Sequence, residues 1–301
     1  MEIKKIKGHS SYIKGGTNTG IFTFKDKSIL VIDPGLSTSR GRRLAEFFKK
    51  NELRARYCIT SHEHLDHFEA YRPIKDAFSG CSFYCAKESR AFLENPKMFY
   101  TYVYGAKPNK RLLGQAKASS FDLDIEDSLI EGEIKLNDIK FHIVDLKGHS
   151  HGLAGIITED KVFYVGDALF DYHIMEKYDF PFIFDLEEYL NSLDKIKNSD
   201  FEFALLSHSK EVYDKEQTMD LVEKNRENVF KYRDQIKEFL NEPYTREDLL
   251  SDIIELNGLK LDYKEYHYYY STLGSFITHL MDNNEVEFQI ENGKMYYYKT
   301  L

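Results

Sequence analysis

The 301-residue chain carries 41 Lys+Arg against 50 Asp+Glu, a formal net charge of -9, and is 42% hydrophobic and 30% charged. That length is enough for a full core and points to two domains, while the acidic balance excludes a broad positive field for phosphate backbones or anionic lipid. No run approaches the roughly eighteen apolar residues of a membrane span, and Met1-Glu2-Ile3-Lys4-Lys5 leads into no apolar signal core. No membrane partner is therefore expected, and the cytoplasm is the default compartment. Cys58, Cys81 and Cys85 form no CxxC pair and read as buried thiols. The composition holds 22 Phe and 22 Tyr with no Trp, which raises the question of where so many phenol rings sit.

Residues 19–24 and 28–33 read as short strands around Lys25-Asp26-Lys27, the second apolar enough to be buried on both faces. Pro34-Gly35 stops it. Leu44, Phe47 and Phe48 at helical spacing predict an amphipathic helix over 37–50, and 56–60 reads as the next strand. Beyond a histidine-rich stretch at 62–67, a helix is expected over 68–78 and a strand over 81–85. Between Glu94 and Asp124, Pro96, Gly105, Pro108 and Gly114 interrupt a run containing Phe99, Tyr100, Tyr102, Tyr104, Lys107, Lys110 and Arg111. It reads either as an insertion lining or covering a site or as a surface excursion. Strands are expected over 138–145, 153–158, 161–166 and 203–206, with helices over 185–197 and 215–240.

Asn241-Glu242-Pro243 marks a break that divides the chain into units at 1–240 and 243–301. In the second unit Thr245 caps a helix whose apolar face is Leu249, Leu250, Ile253 and Ile254. Another helix is expected over 271–281. Asn292-Gly293 then joins strands 285–290 and 294–299 as a hairpin, completing a small α+β module. Residues 243–301 hold nine of the 22 Tyr, with 5 Lys+Arg against 10 Asp+Glu. Packing or self-association is the expected use of these rings, ahead of base stacking.

The stretch Thr60-Ser61-His62-Glu63-His64-Leu65-Asp66-His67 places four metal-ligating side chains within six positions. His62 and His64, two apart on extended backbone, project alike, and Asp66 and His67 on the following turn can address a neighbouring position. Imidazole and carboxylate donors suit zinc, and also iron or manganese. Three distant polar positions each follow strand-like sequence: His149 in Gly148-His149-Ser150-His151-Gly152, Asp167 after Val162-Phe163-Tyr164-Val165-Gly166, and His208 after Leu205-Leu206-Ser207.

On these residues the chain resembles the metallo-beta-lactamase fold superfamily, a hydrolase group that includes glyoxalase II, lactonases and metal-dependent nucleases. The HxHxDH pattern is complete, and the later His, Asp and His come in the family's order. The resemblance covers about residues 12–240 and implies an α/β fold, a four-layer αββα sandwich. It implies two divalent metal ions, zinc first, with His62, His64 and His149 on one, Asp66, His67 and His208 on the other, and Asp167 bridging. A hydroxide shared by the metals is then the nucleophile, and Asp66 is also the catalytic candidate, orienting the attacking water. Asp33, in Val31-Ile32-Asp33-Pro34-Gly35, matches a family position and is expected to hold the histidine loop through hydrogen bonds rather than to bind metal. His151, Tyr172 and His173 are candidates for substrate contact. Residues 243–301 more weakly resemble a winged-helix-like module appended to such proteins, some of them ribonucleases.

The expected activity is hydrolysis of a small ester, thioester or lactone, with Phe and Tyr of 99–111 and 170–183 lining an apolar pocket. The alternative is an endoribonuclease or other phosphodiesterase that uses Lys107, Lys110, Arg111 and Lys117 as its cationic surface. A small molecule is thus the expected partner ahead of nucleic acid, with homo-oligomerisation open. A noncatalytic metal-binding interaction protein is the third reading; lost ligands would mark it, and none is lost.

Overall fold

The structure, a computed structural model, describes residues 1–114 and 123–300, so Lys117 lies outside the described residues. The first sheet holds, side by side in chain order, β1 (Lys4–Lys7), β2 (Ser10–Ile13), β3 (Thr19–Thr23), β4 (Ser28–Ile32), β5 (Arg54–Ile59), β6 (Ser82–Ala86) and β7 (Ile125–Leu129). Strands β1 to β4 pair antiparallel and β4 to β7 parallel. The second sheet contains β8 (Gly132–Leu136), β9 (Ile139–Asp145), β10 (Ala154–Thr158), β11 (Val162–Gly166), β12 (Phe203–Leu206) and β13 (Tyr213–Asp214). Its pairs are antiparallel except β11 with β12.

Strand alternation builds the layers. In β4, Leu30 and Ile32 face Phe141, Ile156 and Tyr164 of the second sheet, forming the core between the sheets. Ile29 and Val31 point the other way, onto Leu44 and Phe48 of α1 (Thr38–Lys50) and onto Phe68 and Ile74. Those last two lie on α2 (Leu65–Phe68) and α3 (Tyr71–Ala77). On the far side of the second sheet, Val144, Ile157, Phe163 and Val165 pack against Leu186, Tyr189 and Leu193 of α8 (Leu186–Asn198) and Leu221 and Val222 of α9 (Lys215–Phe239). Helices, sheet, sheet, helices is the four-layer αββα order. The same apolar cluster continues into Leu249, Leu250, Leu273, Phe276 and Val286. These belong to α10 (Arg246–Asn257), α11 (Tyr263–Asp282) and the hairpin of β14 (Val286–Glu291) and β15 (Lys294–Lys299).

Three expectations need correction. The helix expected over 68–78 is broken, because the Ala70 N–H is bonded to the Gly35 carbonyl and Pro73 cannot donate to the carbonyl of residue 69. The insertion is helical: α4 (Arg90–Glu94), α5 (Lys97–Tyr104) and α6 (Lys110–Leu113), with Pro96 opening α5 and Gly105, at φ 75°, closing it. The last helix starts at Tyr263, not near 271, because the Asp262 carboxylate accepts from the N–H groups of Lys264 and Glu265. No helix of the described residues is long and apolar enough to cross a membrane.

Candidate metal centre

The predicted histidine and aspartate ligands meet at one end of the sandwich. His62 follows β5, His64 caps α2, and Asp66 and His67 lie on α2 itself, whose four residues provide the sharp turn the spacing requires. His149 sits in the loop from β9 to β10, Asp167 directly after β11 and His208 directly after β12. Potential ligand atoms lie within 4.8 Å of one another in three groups: His62, His64 and His149; His62, His67 and Asp167; and Asp66, His67 and His208. The Asp167 Oδ2 stands 3.3 Å from both His67 Nε2 and His208 Nε2, 3.8 Å from His149 Nε2 and 3.9 Å from His62 Nε2. Asp66 Oδ2 is 3.3 Å from His208 Nε2 and 3.6 Å from His67 Nε2.

The other ring nitrogens explain this convergence. Asp33 is buried at φ 49°. Its carboxylate accepts from His67 Nδ1–H at 3.0 Å, from the Ser61 N–H and hydroxyl at 2.7 Å each, and from the Ser207 hydroxyl at 3.2 Å. His149 Nδ1–H donates to the Phe182 carbonyl at 3.0 Å and His208 Nδ1–H to the Gly16 carbonyl at 2.7 Å. A carbonyl or carboxylate can only accept, so each bond keeps a proton on Nδ1 and turns Nε2 toward the centre. The Ser61 and Ser207 hydroxyls and these two carbonyls were not foreseen. The serines adjoin His62 and His208 in sequence, but a backbone carbonyl leaves no trace in residue identity.

Glu63, between His62 and His64 in the loop after β5, performs a related task. Buried, it accepts from the Ser89 hydroxyl at 2.8 Å and the His151 N–H at 3.1 Å, fixing the loop that carries His149. Burial raises its carboxyl above the ordinary range, with the hydrogen bonds from Ser89 and His151 opposing. His151 itself packs edge-on against Phe92 and Phe184 at 5.7 and 5.4 Å. Tyr172 and His173 begin α7 (Tyr172–Lys177): the Tyr172 hydroxyl bonds to Asp220 on α9, and His173 Nδ1 pairs with Asp171 at 2.9 Å. The rings beside His64 are Phe99 of α5 at 4.7 Å and Phe182 at 5.8 Å.

The electrostatics favour a cation. Burial opposes charge on His67, but Asp167, Asp66 and Asp33 outweigh it and push its pKa up to about 10. Burial likewise opposes charge on His208, yet Asp167 and Asp66 raise it to about 12. Burial would raise Asp167, but His208 and His67 hold it well below the usual carboxylate range. His62 Nε2 and His67 Nε2 are sealed from solvent and make no well-aligned hydrogen bond. Orphaned imidazole nitrogens around two carboxylates fit divalent metal, since a ligated cation satisfies the nitrogens and neutralises the acids together.

Residues 12–208 match the family model described as the metallo-beta-lactamase superfamily. Hydroxyacylglutathione hydrolase GloC of Haemophilus influenzae is 30% identical over 168 residues, covering 54% of this chain and 71% of that protein. Hydroxyacylglutathione hydrolase 1 of Vibrio vulnificus is 26% identical over 153 residues, covering 50% of this chain and 47% of its own. Two solved structures share the fold at low identity. A metallo-beta-lactamase family protein from Thermus thermophilus has a TM-score of 0.71 at 15% identity, over 94% of both chains. A beta-lactamase domain protein from Burkholderia ambifaria has a TM-score of 0.73 at 16% identity, over 99% of this chain and 94% of its own.

Proposed function

The chain belongs to the metallo-beta-lactamase superfamily, and from that premise we propose that it is a dinuclear metal-dependent hydrolase of a small ester, thioester or lactone. The observation that carries the reading is the set of imidazoles held from behind at Nδ1, so that their Nε2 atoms converge around Asp66 and Asp167. His62, His64 and His149 would hold one ion and Asp66, His67 and His208 the other, with Asp167 between them. Imidazole and carboxylate donors suit zinc, and also iron or manganese. Bound divalent ions supply Lewis acidity, lowering the pKa of water and stabilising negative charge on an attacked carbonyl.

The chain's own residues do the rest. Asp33 holds His67 and the Ser61 backbone, and Glu63 holds the His149 loop, so the donors are oriented before substrate arrives. Asp66 is half-buried, its Oδ2 accepts from the Thr17 hydroxyl at 3.4 Å, and it orients an attacking water at the open side of the centre. Phe99 and Phe182 exclude water beside His64 and favour an apolar acyl group over a phosphodiester backbone. The names of the two relatives, both hydroxyacylglutathione hydrolases, support a carbonyl substrate.

Metal analysis followed by parallel assays with a thioester, a lactone, a phosphodiester and single-stranded RNA tests this reading. We expect bound divalent metal, turnover of a carbonyl substrate, and a loss of at least about 100-fold in His64→Ala. Turnover of the phosphodiester or RNA alone would transfer the reading to a phosphodiesterase. A metal-free protein whose hydrolysis is untouched by H64A would overturn it.

A further inference from the structure

The tyrosines of the C-terminal unit do not share one purpose. Tyr268, Tyr269 and Tyr270 follow one another on α11 and enter three surroundings. Tyr269 is buried beside Phe180 at 5.9 Å, and Tyr270 lies under the Arg246 guanidinium at 3.9 Å. Tyr268 instead reaches back to the metal centre. Its ring stands 5.9 Å from Phe99 and 5.4 Å from Phe182, the two rings flanking His64. Phe99 also meets Tyr100 edge-on at 5.2 Å. Tyr100, Phe182 and Tyr268 are each only half-buried, grouped around the buried Phe99.

The approach of α11 is held from outside. Asn109 Nδ2 donates to the Tyr263 hydroxyl at 2.5 Å, the Arg111 guanidinium lies 5.1 Å over the Tyr263 ring, and Tyr104 meets His267 edge-on at 5.1 Å. The insertion and the C-terminal helix therefore grip each other beside the site. Burial, then Tyr100, Glu265 and the negative charge of Asp66, raise Tyr268 well above an ordinary phenol. Burial and then Asp66 raise Tyr100 as well, so the two phenols stay neutral.

We propose that Tyr268, with Phe99, Phe182 and Tyr100, is the wall that selects a flat apolar acyl group, of which phenylacetyl is representative; the inference rests on the hydrolase reading above. A phenyl ring entering there gains edge-to-face contacts beyond the apolar area it buries, and an acetyl group gains neither. Tyr268 is a specificity-determining residue supplied by the last unit of the chain, with no part in holding metal.

Zinc-loaded wild type, Tyr268→Phe and Tyr268→Ala would be titrated calorimetrically with phenylacetate and with acetate, after metal content and melting profile are measured. Hydrolysis of the p-nitrophenyl esters of both acids would be followed in parallel. Phenylacetate should bind wild type about tenfold or more tighter than acetate, a preference kept by Y268F and reduced to about twofold or less by Y268A. If Y268A does not fold, Tyr268→Asn carries the same expectation. Equal binding of the two acids by wild type, or a preference that survives loss of the ring, overturns the wall. Failure of the protein to cleave either ester, with the binding preference intact, sinks the hydrolase reading and leaves the wall standing.

Discussion

At the scale of single residues, Asp33 shows how a ligand set is kept in order by a residue outside it. Its left-handed backbone is one that Asp and Asn tolerate better than other side chains. Asp33→Asn should therefore keep the local fold while losing acceptor capacity for His67 Nδ1–H and the two serine hydroxyls. Metal retention against a competing chelator should fall roughly 10- to 100-fold; unchanged retention would detach Asp33 from the centre. Asp171 gives a second prediction. Burial works against its charge, but His173, the Tyr213 hydroxyl and the Lys210 N–H outweigh it and hold its carboxyl below the ordinary 3.8. The folded value is depressed, so its contribution is complete above 3.8 and is lost as pH falls through the folded value. The melting-temperature gap between wild type and Asp171→Asn should accordingly hold steady above about pH 5 and narrow as the pH falls below 3.8, and a gap that stays constant there would sink the carboxylate account. The ligand set was legible in residue identity because few other purposes gather such side chains. The Phe182 and Gly16 carbonyls were not, since every residue has one.

At the scale of elements, legibility followed burial. Strands β4, β10 and β11 are buried along their whole length and read as apolar runs, whereas β7 and β8 alternate toward solvent, and their sequences IEDSL and GEIKL resemble loop. In the insertion, Pro96 and Gly105 read as breakers in sequence and in the structure delimit α5. The aromatic run at 263–270 hid the first two turns of α11 because its rings face several surroundings instead of one stripe. Loop geometry is also set by packing between elements. Gly148 holds φ 119°, and a Cβ there would lie 2.2 Å from the Tyr189 backbone nitrogen on α8. Gly148→Ala should lower stability by about 1–3 kcal/mol in thermal unfolding and displace His149, so metal retention should drop with it. A variant that melts and binds metal like wild type would contradict this packing account.

At the scale of the whole molecule, the division near Pro243 marks a change of sequence character, while burial runs across it. Tyr232, Ile236 and Leu240 share one apolar cluster with Leu249, Leu273 and Phe276. Ending the chain at residue 240 should expose that cluster and give aggregation or a lowered melting temperature, measurable by light scattering and calorimetry. A truncated chain as soluble and as stable as the full one would establish independent folding of the first unit.

The positions of the metal-facing residues carry a mechanical consequence. His62, His64, Asp66 and His67 descend from the first sheet, whereas His149, Asp167 and His208 descend from the second. An ion held by both sets is a removable cross-link between the halves of the sandwich. Because the ligand set exists only in the folded chain, such an ion stabilises it by mass action, by about 2.7 kcal/mol when free metal stands at about 100 times its dissociation constant. Chelation should then loosen the seam along with the chemistry, and amide hydrogen exchange should quicken at Ser61 and Ser207, whose N–H groups bond to Asp33 and Gly166 beside it.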